Sequence, residues 1–384
     1  MAKRKHRVPH RALLSILSLL VLTSSATAGR GGSTTTPDDL LAKARRWRQE
    51  ESVAAARDKL FRALMSEDSD RGMFERRIWE TNADKTRTFP DAAARCSKAE
   101  RARTGIFIVL GYRQRSGRSQ RLVRQVAATL REEGWHARLI DVAEWSTPAQ
   151  DVRLIDDVIT SELPLVDHAL LVGFSKGGWD WINWFHGPAK NLPVQQRAKI
   201  RLLVDFAAML RGSAVAGWGA DNHGLEATLF RSIMFLRFGV KGAGPKYLRS
   251  LSTDPWSRSS FEPLPSIAPR LRAIQFVALP EGDDGYTRAN AFFNWTGHSA
   301  GRAERWMGPT DGMSESAAQV LPPSERVPKW IVRVKGSHAL LDGRYANGGI
   351  VSRQYRAKGR TLWNGGEELM DDLMRALPRS TIGW

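Results

Sequence analysis

Gly173-Phe174-Ser175-Lys176-Gly177-Gly178 sets a serine among glycines, where the apolar run Ala169–Val172 gives way to a helical pattern. A strand-to-helix turn of the form Gly-x-Ser-x-Gly holds its serine in a strained backbone with the hydroxyl exposed. The flanking glycines are needed because neighbouring backbone comes too close for a Cβ. Such a hydroxyl becomes a nucleophile when a base takes its proton and an acid orients the base, in the chain order serine, acid, histidine. Two downstream segments follow that order. Gly308-Pro309-Thr310-Asp311-Gly312-Met313 carries an acid at the tip of a turn. Gly336-Ser337-His338-Ala339-Leu340-Leu341 carries an imidazole just past the apolar run Trp330–Val334. The chemistry this pattern points to is attack by an activated hydroxyl.

Each role has rivals. Asp283 and Asp284 follow the apolar run Ala273–Leu279 more directly than Asp311 does, and Asp205 ends the run after the serine turn. Order and loop position favour Asp311, although an Asp before Gly is also ordinary turn chemistry. Among the histidines, His298 precedes Asp311, His186 sits within the helical region after the serine, and His223 is a further competitor. Chain order favours His338. Trp179, Trp181 and Trp184, with Phe185, could line an apolar pocket, but their spacing fits packing between a helix and a sheet better.

These residues need a scaffold that brings distant loops together. Short continuous apolar runs at Gly105–Leu110, His136–Val142, Asp167–Val172, Arg201–Ala207, Ala273–Leu279 and Trp330–Val334 read as buried strands. Helical patterns between them predict an α/β fold with a mostly parallel, doubly wound sheet covered on both faces. In such sheets, sites form in the loops beyond the carboxyl ends of the strands, where all three candidates lie. Residues 209–268 break the alternation and are expected to form a cap or insertion, helical around Leu225–Phe238. From Pro37 to about Arg77 the pattern is helical, with Pro37-Asp38-Asp39 as its start, so 29–100 reads as a helical extension packed on a main domain of 101–384.

The stretch from about residue 104 onward resembles the α/β-hydrolase superfamily, in particular secreted bacterial esterases and lipases. The residues that carry the resemblance are Gly-Phe-Ser-Lys-Gly-Gly at 173–178, Thr-Asp-Gly-Met at 310–313 and Gly-Ser-His-Ala-Leu at 336–340. The resemblance implies Ser175 as nucleophile, Asp311 as acid and His338 as general base, acting on a small-molecule or lipid ester. Asp283 and Asp284 remain the alternative acid. It also implies an oxyanion hole worth about 3 kcal/mol per donor. One donor is the backbone N–H of Lys176. The second comes from the loop Gly111-Tyr112-Arg113, with Tyr112 ahead of Arg113. That choice is by position only, because this chain lacks the His-Gly-Gly run of lipases. Amide or thioester cleavage on the same residues is an alternative, as is a non-catalytic binding protein of the cell envelope. No cofactor is expected, and no His/Glu spacing suggests a metal.

Composition bounds the setting. The 384 residues carry 58 Lys and Arg against 40 Asp and Glu, a formal charge of +18, with 42% apolar residues. That apolar fraction supports a sizeable core and excludes general disorder. A single cysteine, Cys96, excludes an internal disulfide framework. Residues 1–28 read as a secretory signal: a basic start, an apolar core from Ala12 to Leu22, and Ala26-Thr27-Ala28 for cleavage. The core is short for a membrane span, which needs about 20 apolar residues. An uncleaved anchor is the alternative to export into the periplasm or medium. Loss of the signal removes five basic residues and leaves +13. Acids are interleaved with the remaining bases and no nucleic-acid module is recognisable, so a solvated surface attracted to anionic lipid or substrate is the better reading. Oligomeric state is left open.

Overall fold

All six apolar runs become strands: β1 Thr104–Val109, β2 His136–Ile140, β3 His168–Phe174, β4 Ile200–Phe206, β5 Arg272–Leu279 and β6 Lys329–Lys335. The computed structural model describes residues 39–93, 96–111, 118–142, 146, 148–238, 245–252, 262–279, 291–304, 306–335, 338 and 366–383. All of these belong to one contact unit, Gly32–Trp384. The segment read as a signal, 1–28, lies outside the described residues, as do Tyr112, Arg113, Asp283 and Asp284. The strands form one sheet in the order β2-β1-β3-β4-β5-β6. Every neighbouring pair is parallel. Parallel strands need crossovers, and those crossovers cover both faces, so the strands can be apolar throughout.

Alternate residues supply two cores. On one face Ile106, Ile108, Leu170, Val172, Leu202 and Val204 pack in one cluster with Phe74, Trp79, Val126, Leu130 and Leu373. These come from α3 Met73–Ala83, α5 Arg118–Glu132 and the C-terminal helix Gly366–Ala376. Cys96 is buried in the same cluster, and burial pushes its thiol up to about 12. On the other face Phe107, Val109, Leu171 and Leu203 meet Ile155, Ile159, Trp181, Trp184 and Phe185. Those belong to α6 Pro148–Glu162 and α7 Lys176–His186, so Trp181 and Trp184 are core residues.

The amino-terminal helical pattern, continuous in sequence, is divided into three helices. Ahead of α3 lie α1 Leu40–Glu50, capped by Asp39, and α2 Val53–Glu67, capped by Ser52. The second break has a structural job. Asp68 accepts the Ile331 N–H at 3.0 Å, and Ser69 exchanges bonds with Lys329 at 2.8 and 2.9 Å. The α2–α3 link therefore runs along the outer edge of β6 and occupies hydrogen-bonding groups that an edge strand leaves open. Leu40, Leu41, Leu60 and Leu64 then bury against Val277, Leu279 and Ile331.

Residues 209–268, expected to form a cap or insertion, hold three longer helices. After β4 come α9 Ala214–Asp221, α10 Leu225–Phe238 and α11 Pro245–Ser252. Residues Trp218, Phe230 and Leu248 of these helices cluster with Ala300 and Met307, which lie after β5. The helix α13 Ala291–Ala303 thus joins this cluster from outside 209–268. Leu264 and Ile267, within that range, instead pack against the sheet. Two excursions share one apolar cluster, which no single break in periodicity reveals.

One buried ion pair fastens the amino-terminal helices to the sheet. Arg333 of β6 donates to Glu75 Oε2 from Nε at 2.9 Å and from Nη2 at 2.7 Å, and to the Phe61 carbonyl at 3.1 Å. Its guanidinium lies 4.2 Å from the Phe61 ring centroid. Burial pushes the Glu75 carboxyl up, against the pull of Arg333. Removing one partner of such a pair strands a buried charge. Arg333→Met is expected to cost about 3–5 kcal/mol in urea unfolding, and adding Glu75→Gln should recover much of the loss. Equal stability of Arg333→Met and the native chain would refute this role.

Candidate active site

Ser175 joins β3 to α7 with φ 54° and ψ −118°, a left-handed conformation for a residue that has a Cβ. Such a conformation costs on the order of 1–3 kcal/mol and persists only when the surroundings impose it. Here the Ser175 N–H donates to Phe206 O at 3.0 Å. Its carbonyl accepts from Gly178 at 3.2 Å and from Met209 at 3.1 Å. The glycines answer to close contacts. A Cβ on Gly173 would lie 2.7 Å from Gly178 Cα, and one on Gly177 would collide with the Val109 carbonyl. A Cβ on Gly178 would strike Ala208 Cβ. The six-stranded parallel sheet with a serine turn at the end of an inner strand is of the α/β-hydrolase fold type.

His338 reaches the serine from beyond β6. Its Nε2 lies 2.6 Å from Ser175 Oγ, and its Nδ1 lies 2.7 Å from Asp311 Oδ2. A carboxylate oxygen only accepts, so Nδ1–H donates to Asp311, which leaves Nε2 to accept the Ser175 hydroxyl. The His338 backbone N–H also donates to Asp311 O, at 3.1 Å.

Asp311 is fully buried and richly bonded. Its Oδ1 accepts the N–H groups of Met313 at 2.9 Å and Ser314 at 2.8 Å. Its Oδ2 accepts from Gln319 Nε2 at 2.7 Å. Gln319 Oε1 in turn accepts the Ala278 N–H of β5 at 2.8 Å, so the acid is referenced to the sheet. The Asp-before-Gly turn does act as a turn cap, and the same carboxylate faces the imidazole. Gln319 was not legible as a site residue, because nothing in the sequence marks a glutamine eight positions beyond an acid.

The Lys176 side chain takes no direct part. Its ammonium is buried between Asp151 and Asp180, at 2.7 and 2.9 Å from the two oxygens of Asp180. Burial pushes the Asp180 carboxyl up to about 7 against the attraction of Lys176, and pushes Asp151 up as well. Desolvation works against the Lys176 charge, but the two carboxylates outweigh it and hold its pKa above the usual lysine value. Lys176 is thus anchored away from Ser175, and its backbone N–H stands in the first turn of α7. Such N–H groups have no intrahelical acceptor and sit at the positive end of the helix dipole. The chain after β1 comes close by: a Cβ on Gly111 would lie 2.8 Å from Ser175 Cβ and 3.1 Å from Lys176 N.

The rivals lie elsewhere. Asp205 ends β4 with both carboxyl oxygens buried and without a hydrogen-bond partner among the described residues. It lies beneath α7: a Cβ on Gly178 would sit 2.7 Å from its Oδ1. His298 is on α13, His186 ends α7, and His223 lies between α9 and α10. The imidazole bonded to Ser175 is that of His338. Trp179 is buried with Met209 and Trp218.

No protein-family model matches the chain, and no curated protein matches it significantly. Among solved structures it is similar to a metagenomic carboxyl esterase at 15% identity, over 79% of this chain and 90% of that one, with a TM-score of 0.48. It is similar to a mature-form lipase from Bacillus licheniformis at 14% identity, over 67% and 91%, with a TM-score of 0.41. A third is Est1E from Butyrivibrio proteoclasticus at 12% identity, over 77% and 93%, with a TM-score of 0.35. The fold type rests on this sheet's own strand order and serine turn.

Asp205 yields a test that separates it from Asp311. Burial pushes its carboxyl well above the ordinary range, so the folded state holds the proton that an unfolded Asp loses near pH 4. The stability this group contributes is therefore complete below about pH 4 and declines as pH rises toward its folded pKa. Asp205→Asn carries no such dependence. The melting temperature of the variant minus that of the native chain should rise between pH 4 and 8. A difference independent of pH would contradict the burial argument.

Proposed function

We propose that this protein is a serine hydrolase that cleaves carboxylic esters through an acyl-enzyme. The observation that carries the reading is the continuous chain from Ser175 Oγ through His338 to the buried Asp311, at 2.6 and 2.7 Å. As Ser175 Oγ attacks the ester carbonyl, its proton passes to His338 Nε2, and the new imidazolium is stabilised by Asp311. The carbonyl oxygen becomes an oxyanion, facing the Lys176 N–H at the head of α7. Collapse of the tetrahedral intermediate breaks the C–O bond, and the leaving alcohol takes the proton from His338. Water, deprotonated by the same imidazole, then attacks the acyl-serine and releases the acid. Three donors besides the imidazole lock Asp311, so it holds the neutral ring in the tautomer whose Nε2 accepts from Ser175.

The test is labelling and turnover. A fluorophosphonate should label Ser175 in the folded protein, and p-nitrophenyl esters of short and long acyl chains should be hydrolysed. Ser175→Ala should abolish both, and Asp311→Asn should lower kcat by about 10⁴. Asp205→Asn should stay within a few-fold of the native rate. Folded native protein that neither labels nor turns over any ester, or an Asp311→Asn variant with full activity, would overturn the reading. Amide or thioester turnover without ester turnover would redirect the substrate class.

The proposal includes export, supported by the basic start, short apolar core and small residues of 1–28. Mass spectrometry of the protein from the expressing cell's envelope or medium should give a chain beginning after Ala28. An intact amino terminus on protein held in the membrane would favour the anchor instead. No helix among the described residues is long and apolar enough to cross a membrane.

A further inference from the structure

The loop that carries Asp311 is held from outside the sheet as well as by it. Thr310 and Glu315 form an antiparallel bridge that closes the turn Asp311–Ser314. Glu315, 1% exposed, lies at the base of that turn. Its Oε1 accepts the Gly308 N–H at 2.7 Å and Arg45 Nε at 2.9 Å, and its Oε2 accepts Arg45 Nη2 at 2.7 Å. Arg45 belongs to α1, in the amino-terminal extension, 270 positions away. Its guanidinium also lies 4.7 Å from the Trp306 ring centroid. A second charged joint lies at the start of the helix. Asp39, the cap of α1, pairs in the interior with Arg211, whose backbone N–H donates to Ala318 O at 3.1 Å. Both joints end on the 308–319 segment, which supplies Asp311 and its partner Gln319.

We infer that α1 is a built-in brace for the acid loop, and that the forked Arg45–Glu315 pair is a positioning element that sets where Asp311 meets His338. This rests on the reading of Ser175, Asp311 and His338 proposed above. A planar guanidinium fork fixes both distance and orientation of a carboxylate, which a single ammonium contact does not. Glu315 transmits that constraint over four residues through its bridge to Thr310 and its hold on Gly308. An extension added only for stability needs no charged, two-point contact beside the acid. Displacement of a catalytic group by about 1 Å can cost on the order of 10² in rate, so a brace here acts on chemistry.

The test compares Arg45→Met, Arg45→Lys and Glu315→Gln with the native protein, with Arg48→Met on the same helix as control. Rates are normalised to sites titrated with a fluorophosphonate. Arg45→Met should lower kcat per titrated site by about 10- to 100-fold. The acid limb of its kcat/KM profile should move to lower pH, because a displaced Asp311 stabilises the imidazolium less. Arg45→Lys should recover part of the loss, Glu315→Gln should lose rate in the same direction, and Arg48→Met should match the native enzyme. Separately, the His338 Nδ1–H proton should give a downfield resonance in the native protein that moves upfield or broadens in Arg45→Met. Fewer titratable sites with unchanged kcat per site and unchanged pH limb would reduce the pair to a stability role and overturn the inference. So would an unchanged Nδ1–H resonance. That resonance is read without turnover, so failure of the brace and failure of the hydrolase reading are distinguishable.

Discussion

One backbone angle organises much of this molecule. Ser175 is held at φ 54°, and a residue with a Cβ stays there only under imposed contacts. Those contacts come from β4, the segment after it and the first turn of α7: Phe206 accepts its N–H, and Met209 and Gly178 donate to its carbonyl. The same crowding excludes any side chain at Gly173, Gly177 and Gly178. Close packing of β1, β3, β4 and α7 around one residue turns a serine hydroxyl toward the end of the sheet, where loops from β5 and β6 can reach it. Had the turn relaxed to an ordinary helix start, the glycines would be unnecessary and His338 would have nothing to face.

Around that point polar groups are buried in two different ways. Asp311 accepts four bonds and lies against the imidazole, which suits a group that must keep one position and one role. Lys176, one residue beyond Ser175, is flanked by two carboxylates and shut away from solvent. Its side chain is an anchor for the helix end. Asp205 is the contrasting case: buried, unbonded among the described residues and held neutral by its surroundings. The acids buried around this turn thus differ in environment: Asp311 is hydrogen-bonded, Asp151 and Asp180 are paired with a lysine, and Asp205 is unbonded among the described residues.

Much of this was legible in the residues. Apolar runs gave six strands to within a residue or two, because the inner strands, buried on both faces, leave no polar alternation to blur their ends. The serine turn was legible because its glycines are a steric requirement, and Asp311 and His338 because their order follows from the sheet. What was not legible depends on contacts across long separations. Arg45 and Glu315 are 270 positions apart, and each alone looks like a solvated charge. Gln319 matters only because Ala278 and Asp311 lie on either side of it. The cluster that α9, α10 and α11 form with α13 was not legible, because α13 joins it by packing, after an intervening strand. The division of the amino-terminal helical stretch at Asp68 comes from bonds to β6, which no local pattern announces.

That division reaches beyond the site. A parallel sheet has two rims, and each is a template on which another copy's backbone can dock. Here one rim strand, β2, has only five residues, and the other, β6, is overlaid by the α2–α3 link. The amino-terminal extension therefore serves as a selvedge for the sheet. One extension thus meets the 308–319 segment through α1 and the β6 rim through the α2–α3 link.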